Sequence, residues 1–236
     1  MKLTTDPDNQ SEKKDLEINS SSLPAQGQED ILVSDKLNWY NLSIKRFIDL
    51  FCSIGLMLVI GWWLFPIVAF LIKLDSPGPI FYTQKRSGIY NAVFNCYKFR
   101  SMAINEQENL KQATRNDPRV TKIGRILRKT SIDELPQVFN VIYGNMSLVG
   151  PRPLILSQNE ENARSIEGYK NRHLVKPGIT GLAQAKGYRG ETELPNSIYF
   201  RYKLDMYYIK NWSVVFDLKL IWMTAKTIFS GDENAY

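Results

Sequence analysis

The sequence predicts a mostly helical α+β protein, with a membrane helix near its N-terminal end, a small strand element and amphipathic helices at the membrane interface. Three observations carry this prediction. The stretch Leu50–Ile72 contains 23 residues without a charge. Two short segments after it alternate apolar and polar residues, as strands do. The C-terminal segment is helical in pattern and dense with tyrosine and tryptophan.

The N-terminal segment differs from the rest of the chain. Residues 1–36 are polar and lack apolar periodicity, which predicts a disordered tail before a domain that spans residues 37–236. This tail has four lysines and eight acidic residues, a net charge of −4, so the remainder carries +10 of the overall +6. A basic body suits nucleic acid, anionic lipid or phosphorylated substrates.

The apolar run predicts a membrane helix at about residues 47–73. A straight helix of its 23 uncharged residues would be about 35 Å long, enough for a hydrocarbon core of about 30 Å. Pro66 lies inside the run and predicts a kink. Basic residues flank both ends, and such residues mark the cytoplasmic side. Two topologies therefore stay open: a helix that enters, bends at Pro66 and returns, or a single kinked span.

The remaining elements follow from periodicity. The segments "IFYTQKRSG" and "AVFNCYKFRSM" predict two short strands joined near residues 88–91. Val120, Ile123 and Leu127 form one stripe of a helix whose other face is basic. The aromatic residues near the C-terminus fit the membrane interface and the protein core equally well. Further helices are predicted at 104–115, 135–143, 157–172 and 196–229, and a loop at 175–192.

Cysteine and histidine usage excludes two classes of site. Cys52 and Cys96 are too few for a disulfide framework and indicate a reducing compartment. His173 is the only histidine, so a histidine-based metal site is excluded. We expect His173 to have a structural role or to lie near a bound phosphate rather than to act as a catalyst.

Two adjacent carboxylates, Asp133 and Glu134, follow a basic cluster in "KTSIDELPQVFN". Ser131 with Glu134 fits a capping box, whereas Pro136 favours a helix that begins one or two residues later. Either start places Asp133 at a helix N-terminus, where the helix end and Arg128 favour the ionised carboxylate. An ionised aspartate can attack phosphorus, and Glu134 can hold Mg²⁺. A solvated helix start is the alternative.

Several motifs occur together and in order: "KRFIDL", "SPGPIFYTQKRSG", "YKFRSM", "RVTKIGRILRKTSIDELPQVFNVIYGNMSLVGPRPL" and "PGITGLAQAKGYRGET". From about Lys45 to the C-terminus the chain resembles the bacterial sugar transferases, the monotopic polyprenyl-phosphate phosphoglycosyltransferases. The segment "DMYYIKNWSVVFDLKLI" is most similar to the branch that transfers glucose-1-phosphate to start exopolysaccharide repeats.

This resemblance implies a reaction and a location. A phosphosugar, glucose-1-phosphate in this branch, passes from a UDP-sugar to undecaprenyl phosphate, and UMP leaves. The product initiates the assembly of exopolysaccharide, capsule or O-antigen repeats. Galactose or an N-acetylated sugar is the alternative. The expected location is the cytosolic face of the bacterial inner membrane, with a re-entrant membrane helix. A homodimer stays open.

The resemblance also implies roles for individual residues. Asp133 corresponds to the covalent nucleophile, and Glu134 to a residue that binds Mg²⁺ together with it. Arg128 corresponds to a catalytic arginine beside the phosphates. The family's membrane helix breaks at a Ser-Pro pair, where this chain has Phe65-Pro66. The residues that correspond to substrate-binding positions are Lys98, Arg100, Pro151, Arg152 and Pro153.

A non-enzymatic alternative is a membrane-anchored basic adaptor for nucleic acid or anionic lipid. Such binding would weaken steeply with salt and would not depend on the acid pair. The sequence contains no recognised nucleic-acid motif, and two acids beside the basic cluster would repel phosphate in the absence of a metal. The enzyme is therefore the favoured interpretation, and no nucleic-acid partner is predicted.

Overall fold

The computed structural model describes residues 39–103, 117–188 and 195–230. The predicted tail at 1–36 and the predicted helix at 104–115 lie outside these residues. The chain separates into two units, Met1–Leu42 and Ser43–Tyr236. Only residues 39–42 of the first unit are described, as helix. The prediction of a mostly helical α+β protein with a long apolar helix near the N-terminus is confirmed.

The apolar segment forms one long helix in three parts: α1 (Trp39–Leu56), a π-helical stretch (Met57–Gly61) and α2 (Trp62–Asp75). Pro66 lies inside α2, so the helix continues through the position of the predicted kink. A proline cannot donate a backbone hydrogen bond, and its ring clashes with the carbonyl four residues earlier. The wider π-helical turn, which ends five residues before the proline, is a further departure from regular α-helical geometry.

Most of this helix presents apolar side chains outward. Among the described residues, Asn41–Asp75 is one helix long and apolar enough to cross a membrane. Its inward face is narrow and includes the buried Asp49 and Ser53. The large exposed apolar side chains are Leu42, Phe47, Phe51, Ile54, Leu58, Val59, Trp62, Trp63, Ile67, Phe70, Leu71 and Leu74.

Both ends of the apolar helix are fixed to the same domain. Near its start, Asp49 Oδ1 accepts hydrogen bonds from the Ser147 hydroxyl and the Leu148 amide, each 3.0 Å long. Its final turns belong to a buried apolar cluster, made of Val68, Ile72, Phe99 and Leu127. The helix is therefore attached to the domain at two positions along its length.

The predicted strand pair is confirmed. Strands β1 (Phe81–Ser87) and β2 (Val93–Phe99) form an antiparallel hairpin in which Gln84 lies opposite Cys96. Asn140 holds this hairpin from the side: its Oδ1 accepts from the Tyr97 amide at 2.9 Å, and its Nδ2 donates to a carbonyl of β2 at 2.7 Å. The Asn140 amide thus satisfies one backbone amide and one backbone carbonyl of β2, as a neighbouring strand would.

Two helices flank the acid pair, α3 (Lys122–Lys129) and α4 (Gln137–Tyr143). Leu127 of α3 is buried as predicted. Val120 is not part of α3, because it pairs with Met102 in an isolated β-bridge before the helix begins.

A second sheet was not predicted. Strands β3 (Ser147–Val149) and β4 (Gly178–Thr180) pair in parallel, and helix α6 (Leu182–Ala185) follows β4. The prediction of a loop throughout 175–192 is therefore wrong for its described part. Strands of three residues are too short to show periodicity. A Cβ at residue 178 would lie 2.1 Å from the Gly150 amide nitrogen, so this glycine permits the close approach.

The helix predicted at 157–172 is correct only for its first part. Helix α5 (Leu156–Ser165) ends before Gly168, whose φ of 72° suits glycine. A 3₁₀ stretch, Tyr169–Leu174, follows. The helix predicted at 196–229 is two helices, α7 (Pro195–Lys210) and α8 (Val214–Ser230).

Each interpretation of the C-terminal aromatic residues holds for some of them. Tyr202 and Tyr208 are buried in the core. Tyr199, Tyr207 and Trp222 are 46%, 56% and 72% exposed. The exposed set fits a membrane interface, since tyrosine and tryptophan have one apolar and one polar end.

Candidate functional site

The acid pair lies in a single 3₁₀ turn, Ile132–Glu134, between α3 and α4. The predicted capping box is wrong: Ser131 has a left-handed backbone, with φ of 57°, and its side chain caps nothing. Pro136 directly precedes α4, which begins at Gln137, so the helix starts later than either prediction and Asp133 lies in the 3₁₀ turn rather than at the helix N-terminus. A proline is tolerated there because the first amides of a helix lack intrahelical partners.

Asp133 is buried although it is polar, with 8% of its surface exposed. The preceding residue, Ile132, packs on the apolar cluster that contains the last turns of the membrane helix. Phe65, next to Pro66, belongs to the same packing and lies edge-on to Phe99. The acid pair is thus directly connected to the apolar helix.

Glu134 is held by two cations from distant parts of the chain. Lys98 Nζ of β2 lies 2.7 Å from Oε1. Arg152, three residues after the end of β3, donates to both oxygens, with Nη2–Oε1 at 2.7 Å and Nη1–Oε2 at 3.2 Å. Burial alone would raise the pKa of Glu134, but Arg152 and Lys98 hold it well below its usual value.

The pKa of Asp133 is shifted in the opposite direction. Burial raises the pKa of Asp133 to about 6, and the neighbouring Glu134 charge adds to the rise. Lys98, Arg128 and Arg152 oppose it. Arg128 therefore lowers the pKa of Asp133, as expected, but desolvation raises it by more. The carboxylate is still mostly ionised at neutral pH, and it is less solvated than an exposed aspartate would be.

The structure brings together most of the residues predicted for the site, but not all. Lys98, Arg128 and Arg152 all lie near enough to Asp133 to affect its charge state. Arg100 does not join them. Its guanidinium donates to the carbonyls at the end of the membrane helix and in the turn after it, those of Ile72, Ser76 and Pro77.

The two prolines that flank Arg152 are held by their carbonyl groups. The Pro151 carbonyl accepts from the Gly178 amide at 3.0 Å. The Pro153 carbonyl accepts from Arg86 Nη1 at 3.1 Å. The contacts described for both prolines thus anchor the segment that carries Arg152.

Sequence reasoning missed three charged residues behind the site. Arg86 of β1 is partly buried, and desolvation lowers its pKa, as does the nearby Arg152. Arg172 and Asp205 form a buried ion pair, with Nη2–Oδ2 at 2.8 Å. No local signal could have revealed this pair, because its members are 33 residues apart.

The single histidine has a structural role, one of the two predicted for it, and the two cysteines are not paired with each other. His173 is buried, with Nδ1 3.1 Å from the Gly88 carbonyl and Nε2 2.7 Å from Asn159 Oδ1, so its role is structural. Burial lowers the pKa of His173 to about 4. Cys52 and Cys96 are free thiols.

The acid pair is the only carboxylate donor set described around the site. Among residues 39–103, 117–188 and 195–230, no three histidine, cysteine or acidic side chains group as a metal site. Mg²⁺ needs fewer protein ligands, because it binds through one or two carboxylates plus substrate phosphate oxygens. Carboxylate oxygens have several lone pairs, so Glu134 can accept from Lys98 and Arg152 and still bind a cation. Asp133 and Glu134 therefore fit an Mg²⁺ ion shared with a phosphorylated substrate.

Comparisons with known proteins agree with this arrangement. The sequence model of the family described as bacterial sugar transferase matches residues 40–231. The UDP-glucose:undecaprenyl-phosphate glucose-1-phosphate transferase of Escherichia coli (strain K12) is 45% identical over 207 residues, which are 86% of this chain and 43% of that protein.

Two further relatives differ in their names. The UDP-N-acetylgalactosamine-undecaprenyl-phosphate N-acetylgalactosaminephosphotransferase of Aeromonas hydrophila is 45% identical over 69% of this chain and 38% of its own length. The exopolysaccharide production protein PSS of Rhizobium leguminosarum bv. phaseoli is 42% identical over 78% of this chain and 94% of its own length.

The matches differ in how much of each relative's length they cover. The chain spans less than half the length of the Escherichia coli and Aeromonas hydrophila relatives, but nearly the whole of the Rhizobium relative. The family match covers most of the chain, including the acid pair and every residue that contacts it. The chain therefore belongs to the bacterial sugar transferase family.

Proposed function

We propose that this protein transfers a phosphosugar, glucose-1-phosphate, from UDP-glucose to undecaprenyl phosphate and releases UMP. One observation carries the proposal. A buried aspartate, Asp133, lies beside a glutamate that two cations hold in place. The same turn packs against a helix whose outer face consists of exposed apolar side chains, as a lipid-facing helix has. This arrangement joins a phosphate-binding site to a membrane surface.

The first step uses Asp133 as a nucleophile. A carboxylate oxygen attacks the β-phosphorus of UDP-glucose, and the bond from this phosphorus to the oxygen that bridges to the α-phosphate breaks. UMP leaves with that bridging oxygen, and glucose-1-phosphate remains on Asp133 as an acyl phosphate. Burial assists, because a poorly solvated carboxylate attacks without first losing a full hydration shell.

The second step regenerates the carboxylate. A phosphate oxygen of undecaprenyl phosphate attacks the same phosphorus, and the bond to the Asp133 oxygen breaks. The product is undecaprenyl-diphospho-glucose. Arg128, Lys98 and Arg152 supply positive charge for the phosphates in both steps, and the arginines can bind phosphate oxygens in pairs.

Mg²⁺ is the proposed cofactor. Glu134, with Asp133 beside it, would hold the ion together with diphosphate oxygens. The ion would neutralise charge that develops on the leaving UMP. Addition of EDTA should abolish UMP release, and excess Mg²⁺ should restore it. Full activity in EDTA would exclude this role.

The placement of the membrane helix explains how the two substrates meet. Both ends of the helix bind the same domain, so we propose a re-entrant helix that dips into one leaflet. UDP-glucose is water-soluble, whereas the phosphate of undecaprenyl phosphate lies at headgroup level. A site beside the end of such a helix can reach both. We place it on the cytosolic face of the inner membrane, where nucleotide sugars are made.

The sugar and the pathway are further parts of the proposal. The name of the Escherichia coli relative supports glucose, and the name of the Rhizobium relative supports a role in exopolysaccharide production. The Aeromonas relative makes N-acetylgalactosamine the competing sugar. UDP-glucose, UDP-galactose and the two N-acetylated UDP-sugars should therefore be compared at equal concentration, with UMP release as the readout. A clear preference for a sugar other than glucose would redirect the assignment.

The decisive experiment measures UMP release by the purified full chain in nanodiscs with undecaprenyl phosphate and Mg²⁺. Asp133→Asn should abolish turnover, because an amide does not attack phosphorus. Mass spectrometry of wild-type protein quenched after mixing with UDP-glucose alone should place one phosphohexose on Asp133. The matched control is Asp117→Asn, which changes another buried, arginine-paired aspartate and should leave turnover largely intact.

Near-normal turnover by Asp133→Asn, or an adduct on another side chain, would remove Asp133 from the role of nucleophile. The adaptor alternative makes a different prediction. It requires anionic-lipid or nucleic-acid binding that falls steeply with salt and is unchanged in Asp133→Asn. Wild-type protein that releases no UMP yet binds in this way would support the adaptor.

A further inference from the structure

Three consecutive backbone carbonyls around Arg152 are all hydrogen-bonded within the domain. The Pro151 carbonyl accepts from the Gly178 amide at 3.0 Å. The Arg152 carbonyl accepts from Arg172 Nη2 at 2.8 Å. The Pro153 carbonyl accepts from Arg86 Nη1 at 3.1 Å. Two of the three donors are therefore arginine side chains, and one of them, Arg172, is buried.

Arg172 is itself fixed from two further directions. Asp205 of α7 accepts from Arg172 Nε at 3.2 Å and from Nη2 at 2.8 Å. The Arg172 guanidinium also lies over the Tyr169 ring, 5.3 Å from its centroid. Both partners of the ion pair are almost fully buried, with 2% and 3% of their side chains exposed. The planar guanidinium can satisfy Asp205 and the Arg152 carbonyl together because its donors point in fixed directions.

These contacts form a continuous path from α7 to the acid pair. Asp205 orients Arg172, Arg172 binds the backbone of Arg152, and the Arg152 side chain grips both oxygens of Glu134. A bidentate ion pair depends strongly on the angle of the arginine. A shift of the Arg152 backbone would therefore reach Glu134 directly.

We propose that Arg172 and Asp205 are positioning residues that set the Arg152 side chain on Glu134 and on the phosphates of the substrate. This inference rests on the proposed function for its activity readout. It assigns a catalytic consequence to a pair that does not touch the acid pair. It also gives α7 a role in the site, although the acid pair precedes that helix by more than sixty residues.

A double-mutant cycle tests the proposal. Arg172→Lys keeps a cation for Asp205, but one ammonium cannot reproduce the fork that also reaches the Arg152 carbonyl. We expect Arg172→Lys and Asp205→Asn each to lower kcat/KM for UMP release by about 10- to 100-fold, as small misplacements in a site do. In an Arg152→Ala background, each should cost less than about twofold more, because residues that act through one another are not additive.

A merely structural role predicts a different pattern. It would lower thermal stability and activity together, and its effect would be the same with Arg152 present or absent. Asp117→Asn is the matched control, since it neutralises the aspartate of another buried aspartate–arginine pair, with Arg119, and should combine additively with Arg152→Ala. Additive effects of Arg172→Lys, measured on protein that is folded by thermal melting, would overturn the proposal.

The double-mutant cycle can also be measured through UDP binding, which does not require turnover. UDP should raise the melting temperature of the wild type, and Arg172→Lys should reduce that shift only when Arg152 is present. If the wild type released no UMP, the proposed function would fail, while this binding cycle would still decide the inference. Equal loss of the UDP shift in both backgrounds would count against positioning. If Asp205→Asn does not fold, Arg172→Lys decides alone.

Discussion

Arg152 and Glu134 form a two-pronged ion pair, with Nη2–Oε1 at 2.7 Å and Nη1–Oε2 at 3.2 Å. Arg152→Lys should lower kcat/KM by about 10²-fold, because a lysine makes one contact where arginine makes two and leaves the glutamate misaligned. UMP release in nanodiscs measures this. Arg164→Lys, an exposed arginine of α5, should stay within about twofold of the wild type. Equal behaviour of the two variants would contradict a role for the fork.

The raised pKa of Asp133 predicts the pH dependence of the first step. The carboxylate is the reactive form, so the burst of UMP from UDP-glucose without acceptor should slow as the pH falls through the pKa of Asp133, which is about 6 in the metal-free site and lower with Mg²⁺ bound. An ordinary aspartate would hold its rate down to about pH 4. Rapid-quench measurement without undecaprenyl phosphate avoids titration of the acceptor phosphate.

Lys98 lowers the pKa of Asp133, so its removal should move this acid limb. Lys98→Met should shift the limb to higher pH, whereas Lys98→Arg should leave it nearly in place. The position of the limb is independent of how much each variant reduces the maximum rate. An unchanged limb in Lys98→Met would show that the titrating group is not Asp133.

Arg100 should affect stability rather than chemistry. Its guanidinium binds carbonyls at the end of the membrane helix, so Arg100→Met should cost about 2 kcal/mol or more of stability through lost charged hydrogen bonds. Thermal unfolding in detergent measures the loss. UMP release per folded molecule should change little. A normal melting temperature with abolished turnover would return Arg100 to the substrate-binding set.

Gly124 allows α3 to pack closely on the preceding segment. A Cβ at this position would lie 1.9 Å from the Ser101 carbonyl oxygen, which is backbone and cannot rotate away. Gly124→Ala should destabilise the protein by about 1–3 kcal/mol and displace Arg128, which lies one helical turn further on. Gly55→Ala is the matched control, because a Cβ there meets nothing within 4 Å. Equal melting temperatures for the two variants would contradict the packing argument.

The re-entrant topology predicts that both ends of the membrane helix face the same compartment. In a Cys52→Ser, Cys96→Ser background, single cysteines at the exposed positions Ser43 and Thr83 should both react with a membrane-impermeant maleimide in inverted vesicles. Neither should react in intact spheroplasts. Glu160→Cys, on the exposed face of α5, provides the reference for the domain's side. Protection of only one of the two ends would establish a single span.

The elements that the sequence predicted well are those with a local pattern. The hairpin, α3 and α4 show alternation or a helical stripe within one segment. The sheet of β3 and β4 could not be predicted, because each strand has three residues and its partner is some thirty positions away. Local rules also misplaced Ser131, where tertiary packing produced a left-handed residue in place of a cap.

The residues of the site also divide into those with a local sequence pattern and those placed by distant contacts. Lys98 and Arg100 are two residues apart, which puts them on one face of a continuing strand. Strand β2 ends at Phe99, so Arg100 leaves that face and turns to the end of the membrane helix. The Arg172–Asp205 pair has no local signature at all. Charge and motif spacing thus pointed to the acid pair, whereas the contacts that support it required the fold.

The contact between the membrane helix and α4 limits the distance from this helix to the acid pair. Arg46 donates to the carbonyls of Val141 and Ile142 at the far end of α4, and Glu134 precedes the other end of this helix. Seven helical residues span only about 10 Å. In the proposed arrangement, the distance between the reacting carboxylate and this part of the helix is therefore set by the fold, so thickening the bilayer should leave the turnover rate nearly unchanged.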